Sequence, residues 1–540
     1  MTLLRIAFRQ QRTGLIVMSF FSVVAGALNA AAFEQLAGTT PAERAVFGQQ
    51  MALLGKQLTY LLPDPVQLDT MGGYLTWRAF GFLALIFSIW GILAATGAGR
   101  GEEERGLVES WLAAGVSRLR WLATRTAGFV LVAIVVLVIT LGATMLVCAV
   151  VNDPLPLDRV ALEGVLFLGL TLVAFGLGLG IAQLVLTRRA AGSLGTIAVV
   201  VLYLLNSASR SGLELGGLAN ISPFAIFDRA KPLLPQGGGF DPGAAITLYL
   251  VAIVLMGLSV LAFVRRDIGG AIVRLGRERT RVTFRPSSST LLRLPVVAMV
   301  EQQRGWLIGW TIALAALAYF LTSLGRSIVD GMMAIPSLQV YFGRLGINAY
   351  ADFIGVLWFG TFLFIVSGLA IATVNGWAAD DGEGRLEQIL AEGASRGRVV
   401  VERIAALMVI AAIVSAVSST VVFFGARALD LAVPGDRMAI ATLDVLPVVL
   451  AFAGIGALLV GWRPRIAVVL LGTVAVLSYF VQQFYAIFDW PDWVGRLSIY
   501  QLYGTPLSKD DWGGIAALVA IGLAGTAFAV AAMRRRDVGT

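Results

Sequence analysis

The chain has 540 residues, of which 58% are hydrophobic and 14% charged, whereas a soluble domain carries about a quarter charged residues. This composition excludes a chain built mainly of water-soluble domains and indicates an all-α polytopic membrane protein. The formal charge of +8 leaves nucleic acid open as a partner until the charges are placed. A single cysteine excludes an intrachain disulfide, and the lack of histidine removes the commonest metal ligand, so no metal site is predicted.

Twelve uncharged runs of at least 18 residues follow one another along the chain. A helix needs about 20 apolar residues to cross the hydrocarbon core of a bilayer, and a charge at mid-depth is costly. The first run follows three arginines and lacks a cleavage site, so we interpret it as a retained span. The pattern predicts twelve transmembrane helices, at 14–33, 79–99, 126–152, 164–187, 190–209, 242–264, 305–325, 353–379, 404–426, 445–462, 466–488 and 513–533.

The basic residues collect on one side of these predicted spans. With the N-terminus inside, the cytoplasmic segments hold 28 basic and 14 acidic residues, and the outer segments hold 13 and 19. Because short cytoplasmic loops carry the excess of Arg and Lys, both termini are predicted to be cytoplasmic in a multi-pass protein of the plasma membrane. The positive charge is then mostly a topology signal, and nucleic acid is not predicted as a partner. Nine arginines between Arg265 and Arg304 would lie beside anionic lipid head groups.

The second half of the chain repeats the first. Residues 106–125 align without gaps on residues 384–403 with nine identities in twenty, and the sequence Arg-Arg-Asp at 265–267 recurs at 535–537. Six spans therefore form one unit twice, and because six is even the two units are parallel. The predicted organisation is a first transmembrane half at 1–264, an Arg-rich linker with a second amphipathic helix at 265–304, and a second half at 305–540.

The best-matched part of the repeat is the loop after the second span of each half, at 100–125 and at 380–403. In both copies apolar residues recur at helical spacing, with Glu109 and Glu387 on another face. This pattern predicts a short amphipathic helix just inside the membrane. Two interpretations are open: a solvated loop helix, or a helix on which a partner docks.

These loops resemble those of the permeases of type-2 ATP-binding-cassette exporters. The resemblance rests on the acidic run, the Gly-x-x-Glu element at Gly106 and Gly384, and the Ser-Arg pairs at 117–118 and 395–396. The fused twelve-span form is similar to antibiotic and tetronasin-type multidrug exporter permeases. The resemblance implies a coupling helix in each loop that inserts into a separate ATPase subunit, so it assigns ATPase coupling to Glu103, Glu104, Glu109, Trp111, Ser117, Arg118, Glu383, Glu387, Ile389, Ser395 and Arg396.

The resemblance further implies amphipathic helices at 3–12 and 291–304 and partly re-entrant segments within 211–242 and 489–512. The second and fifth spans of each half would line the path of a hydrophobic or amphiphilic substrate. Their aromatic and amide side chains are equally suited to helix packing or interfacial anchoring. The predicted substrate cavity comprises Phe87, Trp90, Tyr203, Asn206, Trp358, Phe362, Tyr479 and Gln482.

The chain lacks a phosphate-binding loop of its own, because none of its three lysines stands in the pattern Gly-x-x-x-x-Gly-Lys-Ser/Thr. We therefore predict no enzymatic activity and no cofactor for this chain alone, with ATP and Mg bound by partner ATPase subunits, most simply a homodimer. The alternative is a secondary transporter of the major facilitator type, which also has two parallel six-span units. The uncharged spans and the absence of that family's Gly-x-x-x-Asp-Arg loop favour the exporter.

Overall fold

The computed structural model describes residues 2–59, 62–210, 216–235, 239–272, 290–333, 350–382, 384–431, 433–504, 507 and 511–535. Within these residues the regular structure is helical, and twelve helices are long and apolar enough to cross a membrane. The prediction of twelve spans is confirmed, since each predicted run falls on one of these helices. The chain divides into two compact units, Met1–Val282 and Thr283–Thr540.

In the first unit a short amphipathic helix precedes the first span, and a seven-residue helix follows the second. The second span contains two π-helical turns, Thr76–Phe80 and Gly97–Gly101. The helices are α1 (Thr2–Gln10), α2 (Arg12–Ala37), α3 (Pro41–Gln57), α4 (Met71–Gly101), α5 (Leu107–Ala113), α6 (Arg118–Val150), α7 (Leu157–Leu184), α8 (Arg188–Arg210), α9 (Pro223–Phe227) and α10 (Pro242–Arg265).

The second unit has the same succession of long and short helices in its described residues. Residues 334–349, which follow its first span, lie outside the described part of the chain. The helices are α11 (Pro295–Gln302), α12 (Arg304–Met333), α13 (Tyr350–Gly382), α14 (Arg385–Ala391), α15 (Arg396–Ala428), α16 (Gly435–Trp462), α17 (Pro464–Phe484), α18 (Asp492–Gly495) and α19 (Trp512–Arg535).

Several spans extend beyond their uncharged runs because charged residues near their ends are paired. The third span of the first unit starts eight residues before the predicted run, at Arg118, and includes the buried Arg125. The corresponding helix of the second unit starts at Arg396 and includes the buried Arg403. An ionic partner lowers the cost of burying a guanidinium, so an uncharged run marks the middle of a span and not its ends.

Each unit is built around its fourth span, which packs closely on its sixth. In the first unit α7 lies against α10, and in the second α16 lies against α19. A methyl group placed on Gly454 would clash with the Gly522 carbonyl oxygen, so these two helices touch backbone to backbone. Small residues permit such approach where the surrounding lipid supplies no hydrophobic driving force.

Candidate functional site

The helix α5 is defined by a glycine at each end. Gly106 precedes it at φ 67° and Gly115 follows it at φ 85°. A methyl group added at either position would have no other atom within 4 Å, so the backbone conformation and not space calls for glycine. Val108 is fully buried and holds the helix against the rest of the unit. Ser117 then caps α6 by accepting a hydrogen bond from the Arg120 amide.

The helix α14 has the same construction. Gly384 and Gly393 lie at φ 73° and φ 87°, Leu386 is buried, and the Ser395 side chain accepts from the Arg398 amide. The predicted short helix is therefore present in both loops, with the same residue types at the same structural positions. The two left-handed glycines and the serine cap account for three of the nine identities between the two loops.

The side chains predicted to couple to an ATPase fall into two groups. Glu103 is buried, and Trp111, Arg118, Ile389 and Arg396 are half-buried. Glu383 lies outside the described residues. The exposed members, which a partner can reach in this structure, are Glu104, Glu109, Ser117, Glu387 and Ser395.

Glu103 is the centre of a buried ionic cluster in the first unit. Its carboxylate accepts hydrogen bonds from the Arg266 guanidinium at 2.7 Å and from the Gly269 amide at 2.6 Å, and Arg100 lies 3.1 Å away. Arg266 also donates from Nε to the Gln183 side chain at 2.8 Å. We call these residues the Glu103 cluster. It joins the end of the second span to the segment that follows the sixth span.

The protonation of Glu103 follows from two opposing effects. Burial raises the pKa of its carboxyl, but hydrogen bonds from Arg266 and the Gly269 amide, with the charges of Arg266 and Arg100, outweigh that effect. The pKa therefore lies below its ordinary value and the group is ionised at neutral pH. Two arginines on one carboxylate leave the cluster with a net positive charge.

The neighbouring glutamates extend this contact in two directions. Glu102 pairs with the buried Arg125 of α6 at 2.8 Å, and Glu104 accepts from the Arg188 backbone amide at the start of α8. Burial raises the pKa of Glu102, with Arg125 acting in the opposite direction. The acidic run before α5 is thus tied to the ends of three other spans.

The second unit holds its loop through a smaller and more exposed contact. Asp380 pairs with Arg403 and with Arg385, each at 2.8 Å. The Arg385 side chain is 51% exposed, whereas the Arg100 side chain is 2% exposed. The residue that corresponds to Arg266 is Arg536, which lies outside the described part of the chain.

One contact is the same in both units and was not anticipated from the sequence. Arg118 donates from one guanidinium nitrogen to the carbonyl oxygens of Phe263, Val264 and Arg266, at the end of α10. Arg396 donates to Met533 at 2.9 Å, at the end of α19. Each arginine satisfies carbonyls that the end of a helix leaves without partners. The only sequence signal was that both arginines are identical in the repeat.

The aromatic residues predicted to line a substrate path pack inside their own units. Phe87 and Trp90 are buried with ring centroids 6.0 Å apart, and Trp358 and Phe362 are buried and stacked at 4.8 Å. Tyr203 is buried against Phe224. These contacts do not test whether the same side chains also face a substrate, which stays a prediction.

The amide side chains of the predicted cavity have different surroundings. Asn206 is buried and donates to Asp228 at 2.7 Å. Burial raises the pKa of Asp228, with Arg210 opposing it. Tyr479 is half-buried beside Phe364, and Gln482 has a buried carbonyl oxygen with no hydrogen-bond donor among the described residues.

The chain between the fifth and sixth spans folds back on the fifth span in both units. The buried Ser222 donates to the Leu202 carbonyl at 2.8 Å, and the buried Ser498 donates to the Ser478 carbonyl at 2.7 Å. Short helical turns, α9 and α18, lie in these segments. The matching serines show that the two segments are anchored on their fifth spans in the same way.

Glu163 is a buried carboxyl group that the uncharged runs did not reveal. It lies in α7, one residue before the run at 164–187, and is 2% exposed. The described residues contain no group of three or more His, Cys, Asp or Glu side chains that could hold a metal ion.

Comparison with known proteins identifies the family. Curated proteins gave no match to the chain. A family model described as the multidrug efflux system permease Rv1217c, C-terminal domain, matches residues 2–264 and residues 292–534. These two segments contain all twelve spans and both loop helices. The chain therefore belongs to the family of the multidrug efflux system permease Rv1217c.

Proposed function

We propose that this protein is the membrane-spanning subunit of an ATP-binding-cassette exporter that moves hydrophobic or amphiphilic, drug-like compounds out of the cell. Separate ATPase subunits bind ATP and Mg and supply the energy. Membership of a multidrug efflux permease family supports the class of cargo. The mostly apolar spans support it too, because they offer few fixed charges to complement an ionic substrate.

The observation that carries this proposal is the pair of loop helices. Each exposes one glutamate, Glu109 or Glu387, on a helix that is fixed by a buried apolar residue and two left-handed glycines. A rigid, exposed helix of this kind is suited to insert into a cleft of a partner protein. Two such helices on one chain fit two copies of one ATPase subunit.

The proposed coupling runs from each loop helix into the third span. Ser117 and Ser395 begin those spans only four residues after the loop helices end. The anchored acidic residues keep each loop in a fixed position on its own unit. Movement of an ATPase subunit would therefore move the spans and not merely bend a loop.

The first test is copurification of the tagged chain from its native membrane, followed by an assay of ATP hydrolysis. We expect an ATPase subunit to copurify. Glu109→Arg and Glu387→Arg reverse a charge at the proposed interface, so each should release the subunit or abolish transport-linked hydrolysis. Asp158→Arg is the matched control, because Asp158 is an exposed acid at the opposite end of the first unit.

A chain that purifies alone, and that transports in vesicles on an imposed ion gradient without ATP, would contradict the exporter. That result would support the secondary-transporter alternative. Equal loss of the ATPase in Asp158→Arg would show that the charge reversals act through general destabilisation and not at the loop helices.

A further inference from the structure

An apolar groove opens between the third and sixth spans of the first unit. It has a volume of about 580 Å³ and is lined on α6 by residues around Ala127 and on α10 by residues around Gly257. Leu119 and Leu131 are exposed at its edge, and Gly257 has open space where a side chain would stand. The volume lies in the range of sites for small organic ligands. The lining is Leu119, Ala123, Thr126, Ala127, Val130, Leu131, Met256, Gly257 and Val260.

The groove is closed at the end nearer α5 by contacts between the same two helices. Trp121 packs on Phe263 with centroids 5.4 Å apart, and Arg118 holds the carbonyl end of α10. The two helices are therefore fixed together at this end while small side chains, Ala123, Ala127 and Gly257, leave space farther along. The groove is a built feature of the unit.

Positive charge surrounds the closed end. Arg120 lies on the groove face of α6, since it precedes Ala123 by three residues and Ala127 by seven. Arg265 ends α10, and both arginine side chains are exposed. Neither makes a side-chain ion pair within the described part of the chain. Together with Arg118 they place three arginines at the ends of α6 and α10 that lie nearer the closed end of the groove.

We propose that this groove is a binding site for an anionic phospholipid of the surrounding membrane. One acyl chain fills the space between α6 and α10, and the head-group phosphate lies against Arg120 and Arg265. The apolar lining selects hydrocarbon, and the arginines select a negative head group over a zwitterionic one. Guanidinium groups bind phosphate oxygens through paired hydrogen bonds.

The second unit does not offer the same space. Gly397 corresponds to Leu119, and Val530 corresponds to Val260. A methyl group on Gly397 would lie 3.1 Å from the Val530 side chain, so the third and sixth spans meet where the first unit has its groove. The bound lipid is therefore specific to the first unit, although both units carry arginines at these helix ends.

The experiment is a lipid titration of the detergent-purified chain, read by native mass spectrometry. We expect the first molecule of phosphatidylglycerol to bind more tightly than the phosphatidylglycerol molecules that follow it. It should also bind more tightly than phosphatidylcholine. The double variant Arg120→Gln with Arg265→Gln should weaken that site by roughly thirty-fold, because each surface arginine contributes about 1 kcal/mol toward an anionic lipid. Ala127→Phe should remove the site by filling the groove.

Matched controls separate this site from general attraction to charge. Arg398→Gln with Arg535→Gln removes the corresponding arginines of the second unit and should leave the tight site intact. Ala149→Phe adds the same ring at an exposed alanine of α6 outside the groove. Equal binding of the two lipids, an unchanged site in Ala127→Phe, or equal losses in the two double arginine variants would each overturn the proposal. So would a change of oligomeric mass in Ala127→Phe, since a second copy of the chain would then cover the groove.

Discussion

The loops at 100–125 and 380–403 share a backbone and differ in how they are anchored. Both have a left-handed glycine on each side of a seven-residue helix, followed by a serine cap. The first is held by the buried Glu103 cluster, and the second by Asp380, which pairs with the exposed Arg385 and with the buried Arg403. Local conformation is set by the same glycines and serine within each loop, whereas the anchors differ, because the first loop pairs with the distant Arg266 and the second pairs with arginines of its own loop. The two loops therefore agree in backbone conformation and differ in their ionic anchors.

The largest expected effect is on the anchors themselves. Glu103→Ala leaves Arg100 and Arg266 buried without their carboxylate, which costs about 3–5 kcal/mol. Asp380→Ala should cost less, about 1–3 kcal/mol, because one of its two partners, Arg385, reaches water and only Arg403 is left buried without this carboxylate. Thermal unfolding in detergent, followed by tryptophan fluorescence, measures both. Equal losses of stability in the two variants would show that the anchors do not differ in strength.

Substitution of the left-handed glycine that precedes each loop helix should destabilise the two loops equally. Gly106→Ala and Gly384→Ala each place a methyl group in the left-handed region, at a cost of about 1–2 kcal/mol. No other atom lies within 4 Å, so the penalty is purely conformational. Hydrogen exchange of the loop amides should rise to a similar extent in the two loops.

Asparagine provides the control for this pair, since it tolerates the left-handed region better than alanine. The loop amides of Gly106→Asn and Gly384→Asn should therefore exchange hydrogen more slowly than those of the alanine variants. A large effect in one loop alone would indicate that tertiary contacts, and not the backbone angle, hold that helix.

The smallest expected effect is a pH dependence of folding stability in the acid range, which comes from Glu103 in the anchor of the first loop. The pKa of Glu103 in the folded chain lies below its ordinary value of 4.5. Its ionised form therefore adds stability above that ordinary value, and the contribution is lost as the pH falls through the lower folded value. The difference in melting temperature between the wild-type chain and Glu103→Gln should be constant near neutral pH and shrink below about pH 4. A difference that shrinks already near neutral pH would contradict the assigned ionisation.

The positions of the spans could be predicted from the sequence because a lipid-facing helix must be apolar along its middle. Their ends could not, since Arg125 and Arg403 are buried beside partners 23 residues away in the chain. A charged residue in a sequence must be either paired or solvated, but the sequence does not show which of the two applies. The Arg266 partner of Glu103 is 163 residues distant.

The candidate site shows the same division. The loop helices, their glycines and the exposed Glu109 and Glu387 follow from periodicity and repetition. The groove of the first unit could not be predicted, because it depends on how closely two helices approach. In the second unit Gly397 permits close contact with Val530, whereas in the first unit Leu119 and Val260 line the groove.

The third span of each half is 33 residues long, which at 1.5 Å per residue makes a rod of about 50 Å. That length exceeds the hydrocarbon core of about 30 Å. Each of these helices begins just after the loop helix of its own half. An arginine in its first turn donates hydrogen bonds to the carbonyl end of the sixth span. A tilt of only about 5° around this end would displace the far tip by on the order of 4 Å. A small displacement on one surface of the membrane would therefore become a sideways shift at the other surface.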